Sequence, residues 1–340
     1  MNAKQWISGA RPQTLLLGFA SVTAGIGICS RMHALNGLSV RDGNSRNWTA
    51  REITVAALCM IVALFLQIAA NFADDYSDGV RGIDEGRGFE KESEKDSEKG
   101  LGKADRPSSK APRRLVASGV SAKSVLHCAL FSAAVACAAG LSVVAITKNY
   151  LFLAAGALCL AAAWFYAGGR KPYSAMGLGE LSAFLFFGPT AVAGTVCAVE
   201  GTLFAGGRIN AIFESFAIGF YSASLMLVNN IRDIESDEKH GKYTLPVRIG
   251  YRASVSLFTV LILAAPSLLL FGSYSSRAGE ICSDSSAGQS GLPLVFIVLS
   301  ALTAVLTAAD IFAIAKKHYK PALPITSFLS LWSALCIFFI

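Results

Sequence analysis

Nine long apolar stretches dominate the sequence and restrict what it can fold into. Each holds about 20 mostly apolar residues, the number that a helix needs to cross a bilayer. Their centres lie near Phe19, Leu64, Val135, Leu158, Phe187, Phe220, Leu261, Leu302 and Leu331. Lipid offers the backbone no hydrogen-bond partner, so only a helical bundle accommodates so many apolar segments. The sequence therefore predicts an all-α, polytopic membrane protein with a bundle of about nine transmembrane helices.

The charge distribution predicts the orientation of this bundle. Although 53% of the 340 residues are hydrophobic and only 16% are charged, the net charge is +7. Alternating the spans puts about 23 of the 30 Lys and Arg residues on the side of the N-terminus, which is therefore cytoplasmic. We expect the C-terminus outside and the protein in the cell (inner or plasma) membrane. The scattered basic residues indicate anionic head groups or a phosphorylated substrate, not nucleic acid.

The chain reads as one transmembrane domain over residues 1–340. Its longest polar connection, residues 79–123 on the cytoplasmic side, contains a charged insertion at about residues 88–111. The insertion alternates acids and bases with Gly, Ser and Pro and has little to bury. We therefore assign it no chemistry.

Two apolar stretches end alike, in Asn followed by spaced Asp. The second stretch gives NFADDYSD and the sixth gives NNIRDIESD. Helical spacing puts each set on one face of its helix: Asn71, Asp74, Asp75 and Asp78, and Asn230, Asp233 and Asp237, with Asn229 beside them. A helix C-terminus disfavours carboxylates, so helix chemistry does not explain them. Acids clustered at membrane depth are costly and usually functional, which favours a site over idle, solvated helix ends.

The residue types at these helix ends indicate their chemistry. Carboxylate and amide oxygens without His or Cys suit Mg²⁺, which typically bridges carboxylates to substrate phosphates. Basic residues flank both clusters: Arg81, Arg113, Arg114, Arg232, Lys239, Lys242 and Arg248. Acids for a metal and bases for an anion describe a diphosphate site. With a hydrocarbon tail lying among the helices, the expected substrate is a polyprenyl diphosphate, whose departing diphosphate the site would stabilise.

The sequence also resembles a known family, the UbiA-type intramembrane aromatic prenyltransferases, and within it the 1,4-dihydroxy-2-naphthoate polyprenyltransferase branch of menaquinone synthesis. The matching segments lie within about residues 10–250: ARPQTLLLGFA, NFADDYSDGVRGID, RRLVASG, KPYSAMGLGELSAFLFFG and NNIRDIESDEKHGKYTLPVRIG. The resemblance implies a nine-helix bundle and Mg²⁺ dependence. It also implies transfer of a polyprenyl group from polyprenyl diphosphate to 1,4-dihydroxy-2-naphthoate with decarboxylation, giving demethylmenaquinone.

The resemblance further implies roles for individual residues. The implied metal ligands are Asn71, Asp75, Asp78, Asp233 and Asp237, with Asp74 as a further candidate at a position where the branch often has Asn. The implied diphosphate contacts are Lys242 and Arg114, to which the flanking positions add Arg81 and Arg232. The substrate-side candidates are Arg11, Asn229, Asn230, Lys171 and Tyr173. The catalytic base is not identified.

One departure from the family pattern and two alternatives stay open. In this branch an Arg-x-Gly-Pro-x-Arg element follows RGID closely, whereas here the charged insertion intervenes, so that Arg87 and Arg106 both fit as its first Arg. The first alternative is the same scaffold with another aromatic acceptor, such as 4-hydroxybenzoate. The second, from a different class, is a cation-coupled membrane transporter.

Overall fold

The structure, a computed structural model, describes residues 3–39, 47–82, 114–169, 171–201, 210–281 and 294–338. Every regular element in these ranges is helical. The charged insertion lies outside the described residues, as do Arg87 and Arg106. The predictions made for them stay predictions.

The helices follow one another with short connections wherever the chain is described. Their bounds are α1 (Ala3–Ala10), α2 (Pro12–Ser39), α3 (Ala50–Val80), α4 (Ala122–Thr147), α5 (Leu151–Ala167), α6 (Gly179–Leu185), α7 (Ala191–Glu200), α8 (Asn210–Arg232), α9 (Ile234–Lys239), α10 (Leu245–Ile281), α11 (Leu294–Ala315) and α12 (Tyr319–Cys336). Short 3₁₀ turns form at Val116–Ser118 and Tyr173–Met176. Gly250, with φ of +80°, interrupts α10 near its start, in a backbone conformation that favours glycine.

Seven helical segments among the described residues are long and apolar enough to cross a bilayer. They are Pro12–Ala34, Ala50–Val80, Ala122–Thr147, Gly179–Glu200, Ala211–Arg232, Leu245–Gly272 and Ile297–Ala315. All nine predicted centres fall within helical segments, but α5, with 17 residues, and α12, with 18, are not among these seven. The prediction of a multi-pass helical membrane protein is therefore confirmed, and the number nine is approximate.

The fifth predicted span is a continuous rod of α6, a π turn (Phe186–Thr190) and α7. Pro189 lies inside the π turn, where its missing N–H removes one helical hydrogen bond. The neighbouring Gly188 lets this rod approach α8 closely. A Cβ atom at Gly188 would lie 2.6 Å from the Ser215 carbonyl oxygen and 2.7 Å from Gly219 Cα. Small residues at such crossings allow membrane helices to pack backbone to backbone.

We expect Gly188→Ala to destabilise the bundle, because the added methyl group meets backbone atoms that can move only if α8 moves. Overpacking of this kind typically costs about 1–3 kcal/mol. Thermal unfolding of the purified protein in lipid nanodiscs measures the effect. Gly156→Ala is the matched control, since a Cβ atom there meets nothing within 4 Å. Equal unfolding temperatures for the two variants would contradict the close packing at Gly188.

Charged side chains tie the helices together at one end of the bundle. Arg31 of α2 donates to Glu214 of α8 at 2.7 Å, and the Glu214 side chain is only 1% exposed. His33 Nε2 lies 2.7 Å from the carboxylate of Glu200, at the end of α7. These contacts join α2, α7 and α8. Arg11 and the aspartates of α3 lie at the opposite end.

Candidate active site

The junction between α1 and α2 is fastened to the end of α3. Asn71 donates from its side-chain amide to the Ala10 carbonyl oxygen at 2.9 Å. The next residue, Arg11, has φ of +54°, which is unusual for a residue with a Cβ atom. Its carbonyl oxygen accepts hydrogen bonds from the Thr14 hydroxyl at 2.9 Å and the Thr14 N–H at 2.9 Å. Such a strained turn needs support from its surroundings, and here it directs the Arg11 side chain towards α3.

Two arginines hold the first pair of aspartates. Arg11 donates to Asp74 at 2.6 Å and to Asp75 at 2.9 Å, and Arg114 donates to both at 2.8 Å. The Leu115 N–H also donates to Asp75, at 3.3 Å. Burial by itself lowers the pKa of Arg11, but Asp74 and Asp75 raise it, and the net result is a raised pKa. The alternating charges allow two buried carboxylates to lie side by side.

The second acidic cluster begins where α8 ends. Arg232, the last residue of α8, donates to the carboxylate of its neighbour Asp233 through Nε at 2.8 Å and Nη2 at 3.0 Å. The chain then forms the short helix α9. Arg232 was predicted to bind diphosphate. In the structure its guanidinium group contacts an aspartate of its own cluster, and its diphosphate contact stays a prediction.

A turn after α9 brings the two acidic clusters together. Asp237 is 2% exposed, and its carbonyl oxygen accepts from the Lys242 N–H at 2.8 Å. Its carboxylate accepts from the Thr244 hydroxyl at 3.4 Å. The turn directs Lys242 across to α3, where its Nζ lies 3.6 Å from Asp78 Oδ2. Lys242 thus links the second cluster to the first, and the sharing of metal ions between the two acidic helix ends stays a prediction. We call this region the acidic end, defined by Asp74, Asp75, Asp78, Asp233 and Asp237.

A cavity of about 560 Å³ extends from the acidic end into the bundle. Asn71, Asp74 and Asn229 line its polar end, and most of its wall is apolar, formed by α3, α4, α5 and the fifth span. Along α3 it reaches from Asp74 to Cys59, a distance of about 22 Å at 1.5 Å per residue. The cavity therefore has a polar end at Asn71, Asp74 and Asn229, which we call its head, and a long apolar part, which we call its body.

Two tyrosines stand where the head of the cavity meets its body. Tyr166 and Tyr173 both line it and pack edge to face, with their ring centroids 5.5 Å apart. The Tyr173 hydroxyl donates to the Ala162 carbonyl oxygen at 2.9 Å. Burial raises the pKa of Tyr173, which keeps this donor protonated. Tyr173 was predicted near the substrate and lies on the cavity wall.

Three other predicted residues lie apart from this arrangement. Arg81 is exposed and donates to the Gly169 carbonyl oxygen, beside a second cavity of about 300 Å³ between α3, α4 and α5. Lys171 is exposed. Asn230 does not line the main cavity; its amide donates to Glu180 at 2.8 Å. Their proposed substrate contacts stay predictions.

Glu180 is a residue near the site that the sequence analysis missed. It is 4% exposed, and Asn230 binds one of its carboxylate oxygens. Glu180, Asp74 and Arg11 all act electrostatically on Tyr166, so this acid belongs to the surroundings of the site. The signal was available, because Glu180 is a lone acid in an otherwise apolar stretch and such residues are usually functional.

The donor atoms of the acidic end fit a hard metal ion. They are carboxylate and amide oxygens, the ligands that Mg²⁺ prefers. In the part of the chain that the structure describes, however, no three His, Cys, Asp or Glu side chains are grouped as ready metal ligands. The guanidinium groups of Arg11 and Arg114 contact Asp74 and Asp75. A metal at these oxygens requires the arginines to shift.

The acidic end and the cavity below it define a class of protein, a membrane-embedded enzyme that takes a substrate with an anionic head and an apolar tail. Comparison with known sequences makes this specific. The model of the UbiA prenyltransferase family matches residues 32–332, so the chain belongs to that family. It is therefore a transferase, and the alternative of a cation-coupled transporter is wrong.

Named relatives share most of their length with this chain. The chain is 37% identical over 262 residues to the 1,4-dihydroxy-2-naphthoate octaprenyltransferase of Mycobacterium tuberculosis, covering 77% of this chain and 75% of the relative. It is 30% identical over 256 residues to the enzyme of the same name from Escherichia coli, covering 73% and 70%. The predicted resemblance to this branch is confirmed.

Solved structures support the fold. The apo structure of a UbiA homolog from Aeropyrum pernix K1 superimposes with a TM-score of 0.61 at 17% identity, covering 96% of this chain and 98% of that one. A UbiA homolog from Archaeoglobus fulgidus, bound to DMAPP and Mg²⁺, gives a TM-score of 0.56 at 15% identity and covers 99% of both chains. The UbiA-like fold is thus confirmed.

Proposed function

We propose that this protein transfers a polyprenyl group from polyprenyl diphosphate to 1,4-dihydroxy-2-naphthoate with loss of the carboxylate, giving demethylmenaquinone. The observation that carries the proposal is the long apolar cavity that ends at ion-paired carboxylates and guanidinium groups. A polyprenyl tail matches the cavity body, and a diphosphate matches the charged head. The names of the relatives supply the acceptor and the reaction.

We propose Mg²⁺ as the cofactor, held by Asn71, Asp75, Asp78, Asp233 and Asp237, with Asp74 as a further ligand. When bound, Mg²⁺ would neutralise charge on the diphosphate as the allylic C–O bond breaks. Support comes from the all-oxygen donor set and from the Archaeoglobus fulgidus homolog with DMAPP and Mg²⁺.

The basic residues that contact the acidic end would bind the leaving diphosphate. Arg11 and Arg114 lie within 2.9 Å of Asp74 and Asp75, and Lys242 lies 3.6 Å from Asp78. With Mg²⁺ at the carboxylates, Arg11, Arg114 and Lys242 would direct their positive charge to the diphosphate. Guanidinium groups suit this task because they bind phosphate through two parallel hydrogen bonds. The same cations balance the charge of the carboxylates in the structure and would orient the diphosphate.

The cavity wall would protect the reacting carbon. An allylic cation is captured by water unless water is excluded. The lining below the polar end is apolar and includes Phe186 and Phe187, while Tyr166 stands at the head. These side chains exclude water and place electron-rich rings near the developing positive charge. The acceptor would enter at the same head, between the diphosphate and Tyr166.

An acceptor assay tests this proposal. Purified protein in nanodiscs receives Mg²⁺, geranyl or octaprenyl diphosphate, and either 1,4-dihydroxy-2-naphthoate or 4-hydroxybenzoate, with the carboxylate carbon labelled. We expect prenylated naphthoate with release of labelled CO₂, and at least a hundredfold lower rate with 4-hydroxybenzoate. Product from 4-hydroxybenzoate alone would instead establish the other acceptor class on this scaffold.

The tail length that the cavity accepts is also predictable. Gly156 lines the cavity about 15 Å along α5 from Tyr166, and a Cβ atom there meets open space. A phenylalanine at this position would fill the cavity body. We expect Gly156→Phe to lower kcat/KM for octaprenyl diphosphate by about tenfold or more while leaving geranyl diphosphate nearly unchanged. An equal loss for both substrates would contradict this path for the tail, and Gly156→Ala serves as the control.

We also propose that residues 1–340 form one domain in the cell membrane with the acidic end at the cytoplasmic face and the C-terminus outside. The proposal rests on the excess of Lys and Arg in the loops on that side. A cytoplasmic acidic end would receive a water-soluble aromatic acid directly from the cytoplasm. The orientation is tested by introducing a cysteine in Lys239→Cys or at the C-terminus and labelling it with a membrane-impermeant reagent. We expect labelling of position 239 from the cytoplasmic side and of the C-terminus from the outer side.

A further inference from the structure

A line of buried polar side chains runs between α11 and α12, away from the cavity. Spacings of four and three residues put each set on one helix face. The line consists of Thr303, Thr307 and Asp310 on α11 and Thr326, Ser330 and Ser333 on α12, all between 0% and 9% exposed. We call these six residues the α11–α12 seam. Asp310 lies within the apolar span Ile297–Ala315, so it is an acid at membrane depth.

Two hydrogen bonds fix how the two helices face each other. The Thr326 hydroxyl donates to Asp310 Oδ2 at 2.6 Å, and Trp332 Nε1 donates to the Thr303 hydroxyl at 3.1 Å. Asp310 is therefore opposite Thr326, and Thr303 is opposite Trp332. Thr307 and Ser330 lie between these two contacts. Thr307 is about one helical turn from Asp310 on α11, and Ser330 is about one helical turn from Thr326 on α12.

Four oxygens of the α11–α12 seam have unmet hydrogen-bonding capacity. Asp310 Oδ1, Thr307 Oγ1, Ser330 Oγ and Ser333 Oγ are buried without a hydrogen-bond partner among the described residues, and the first three lie closest to the Asp310–Thr326 pair along the two helices. Other hydroxyls of these helices donate to the carbonyl four residues earlier, as Thr303 does to Leu299 at 2.9 Å. Thr307 and Ser330 do not make this usual bond. Buried polar atoms without partners are rare in native proteins, and a cluster of them on facing helices calls for an explanation such as a bound water or ion.

The charge of Asp310 also lacks compensation in the surrounding protein. Its electrostatic environment, within the described ranges, consists of burial and the Thr326 hydroxyl alone, with no Lys or Arg acting on it. An ionised carboxylate that is 0% exposed at membrane depth is strongly unfavourable unless one positive charge accompanies it. A carboxylate in such surroundings is neutralised either by a proton or by a bound cation, and the two buried hydroxyls nearby add oxygen ligands that favour a cation.

We propose that Asp310 Oδ1, Thr307 and Ser330 bind a monovalent metal cation, Na⁺, that holds α11 against α12. The three groups offer only oxygen, the donor of hard cations. One carboxylate balances one positive charge, whereas a divalent ion would leave a net charge buried in lipid. This site is separate from the acidic end and does not depend on the proposed prenyl transfer.

The test is the effect of Na⁺ on thermal stability. The full chain in nanodiscs is unfolded in NaCl and in choline chloride of equal ionic strength, with Mg²⁺ constant. We expect a saturable rise of roughly 2–5 °C in NaCl, since an ion that binds only the folded state stabilises it. Asp310→Asn keeps the shape of the side chain and is expected to abolish this difference. Ser327→Ala is the control, because that hydroxyl donates to the Leu323 carbonyl oxygen at 2.9 Å.

A second variant keeps the proposal testable if Asp310→Asn does not fold. Thr307→Val removes one ligand without changing the charge, and the NaCl concentration for half the effect is expected to rise about tenfold. Equal unfolding temperatures of the unmodified protein in NaCl and choline chloride would overturn the proposal and leave a proton or a water molecule at Asp310. Retention of the Na⁺ effect in Asp310→Asn would overturn it as well. Because the measurement uses no substrate, it stands apart from the proposed activity.

Discussion

Asp75→Asn is expected to lower kcat/KM for prenyl transfer by roughly 10³-fold, or about 4 kcal/mol of transition-state stabilisation. Asp75 is 1% exposed and accepts from Arg11, Arg114 and the Leu115 N–H. The amide keeps the size of the side chain but removes the charge that would hold the metal. Steady-state kinetics with purified protein in nanodiscs measures the loss.

Glu238→Gln is the matched control for Asp75→Asn. Glu238 is an exposed acid on α9, close in sequence to the second acidic cluster. We expect its activity to stay within about twofold of the unmodified protein, as for most surface substitutions. Thermal unfolding checks that Asp75→Asn is folded. A folded Asp75→Asn variant with more than a tenth of the activity would contradict a role for Asp75 in the site.

Lys242→Met is expected to raise KM for the prenyl diphosphate by roughly 10–100-fold. Lys242 Nζ lies 3.6 Å from Asp78 Oδ2 and so reaches from the second cluster to the first. Methionine keeps most of the stem and removes the ammonium group. A hydrogen bond to a charged partner is worth about 1.5–3 kcal/mol, which corresponds to this range of affinities. KM measured with geranyl diphosphate at saturating acceptor gives the result.

Lys239→Met tests whether position matters more than charge alone. Lys239 is exposed at the end of α9, only three residues from Lys242. If Lys242 binds diphosphate directly, KM for Lys239→Met stays near the unmodified value. Similar increases in KM for the two variants would mean that the positive electrostatic potential of the whole loop attracts the substrate. The contact assigned to Lys242 would then be wrong.

The sequence predicted the architecture well because membrane helices follow a strict physical rule. Apolar runs of about 20 residues have no stable alternative to a helix in lipid, so all nine predicted centres fall within helical segments. The number of spans is less certain at α5 and α12, which are not among the seven identified by length and hydropathy. α5 has only 17 residues, and α12 carries the buried hydroxyls of Thr326, Ser327, Ser330 and Ser333.

Helical spacing fixes which residues share a face, so the grouping of Asp74, Asp75 and Asp78 along α3 was predictable. In the structure Asp75 contacts Arg114 and Asp78 contacts Lys242, the two residues predicted to bind diphosphate. Spacing does not fix where the chain goes after a helix ends. Arg81 follows α3 and bends to the Gly169 carbonyl oxygen, because the helix stops at Val80.

The contacts of the arginines could not be predicted from sequence at all. Arg11 reaches two aspartates more than 60 residues away, and it does so from a left-handed backbone conformation that no local pattern signals. Arg232 binds its own neighbour Asp233, although its position fitted a diphosphate ligand equally well. Such choices depend on the tertiary packing of separate helices.

The most direct test of the account is the binding of geranyl diphosphate with and without magnesium. Isothermal titration with the purified protein in nanodiscs gives the affinity in Mg²⁺ and again in EDTA, with no acceptor present. If the acidic end holds the diphosphate through metal, affinity falls at least tenfold in EDTA and Asp75→Asn loses the Mg²⁺ effect. Equal affinity in Mg²⁺ and in EDTA would contradict the metal site.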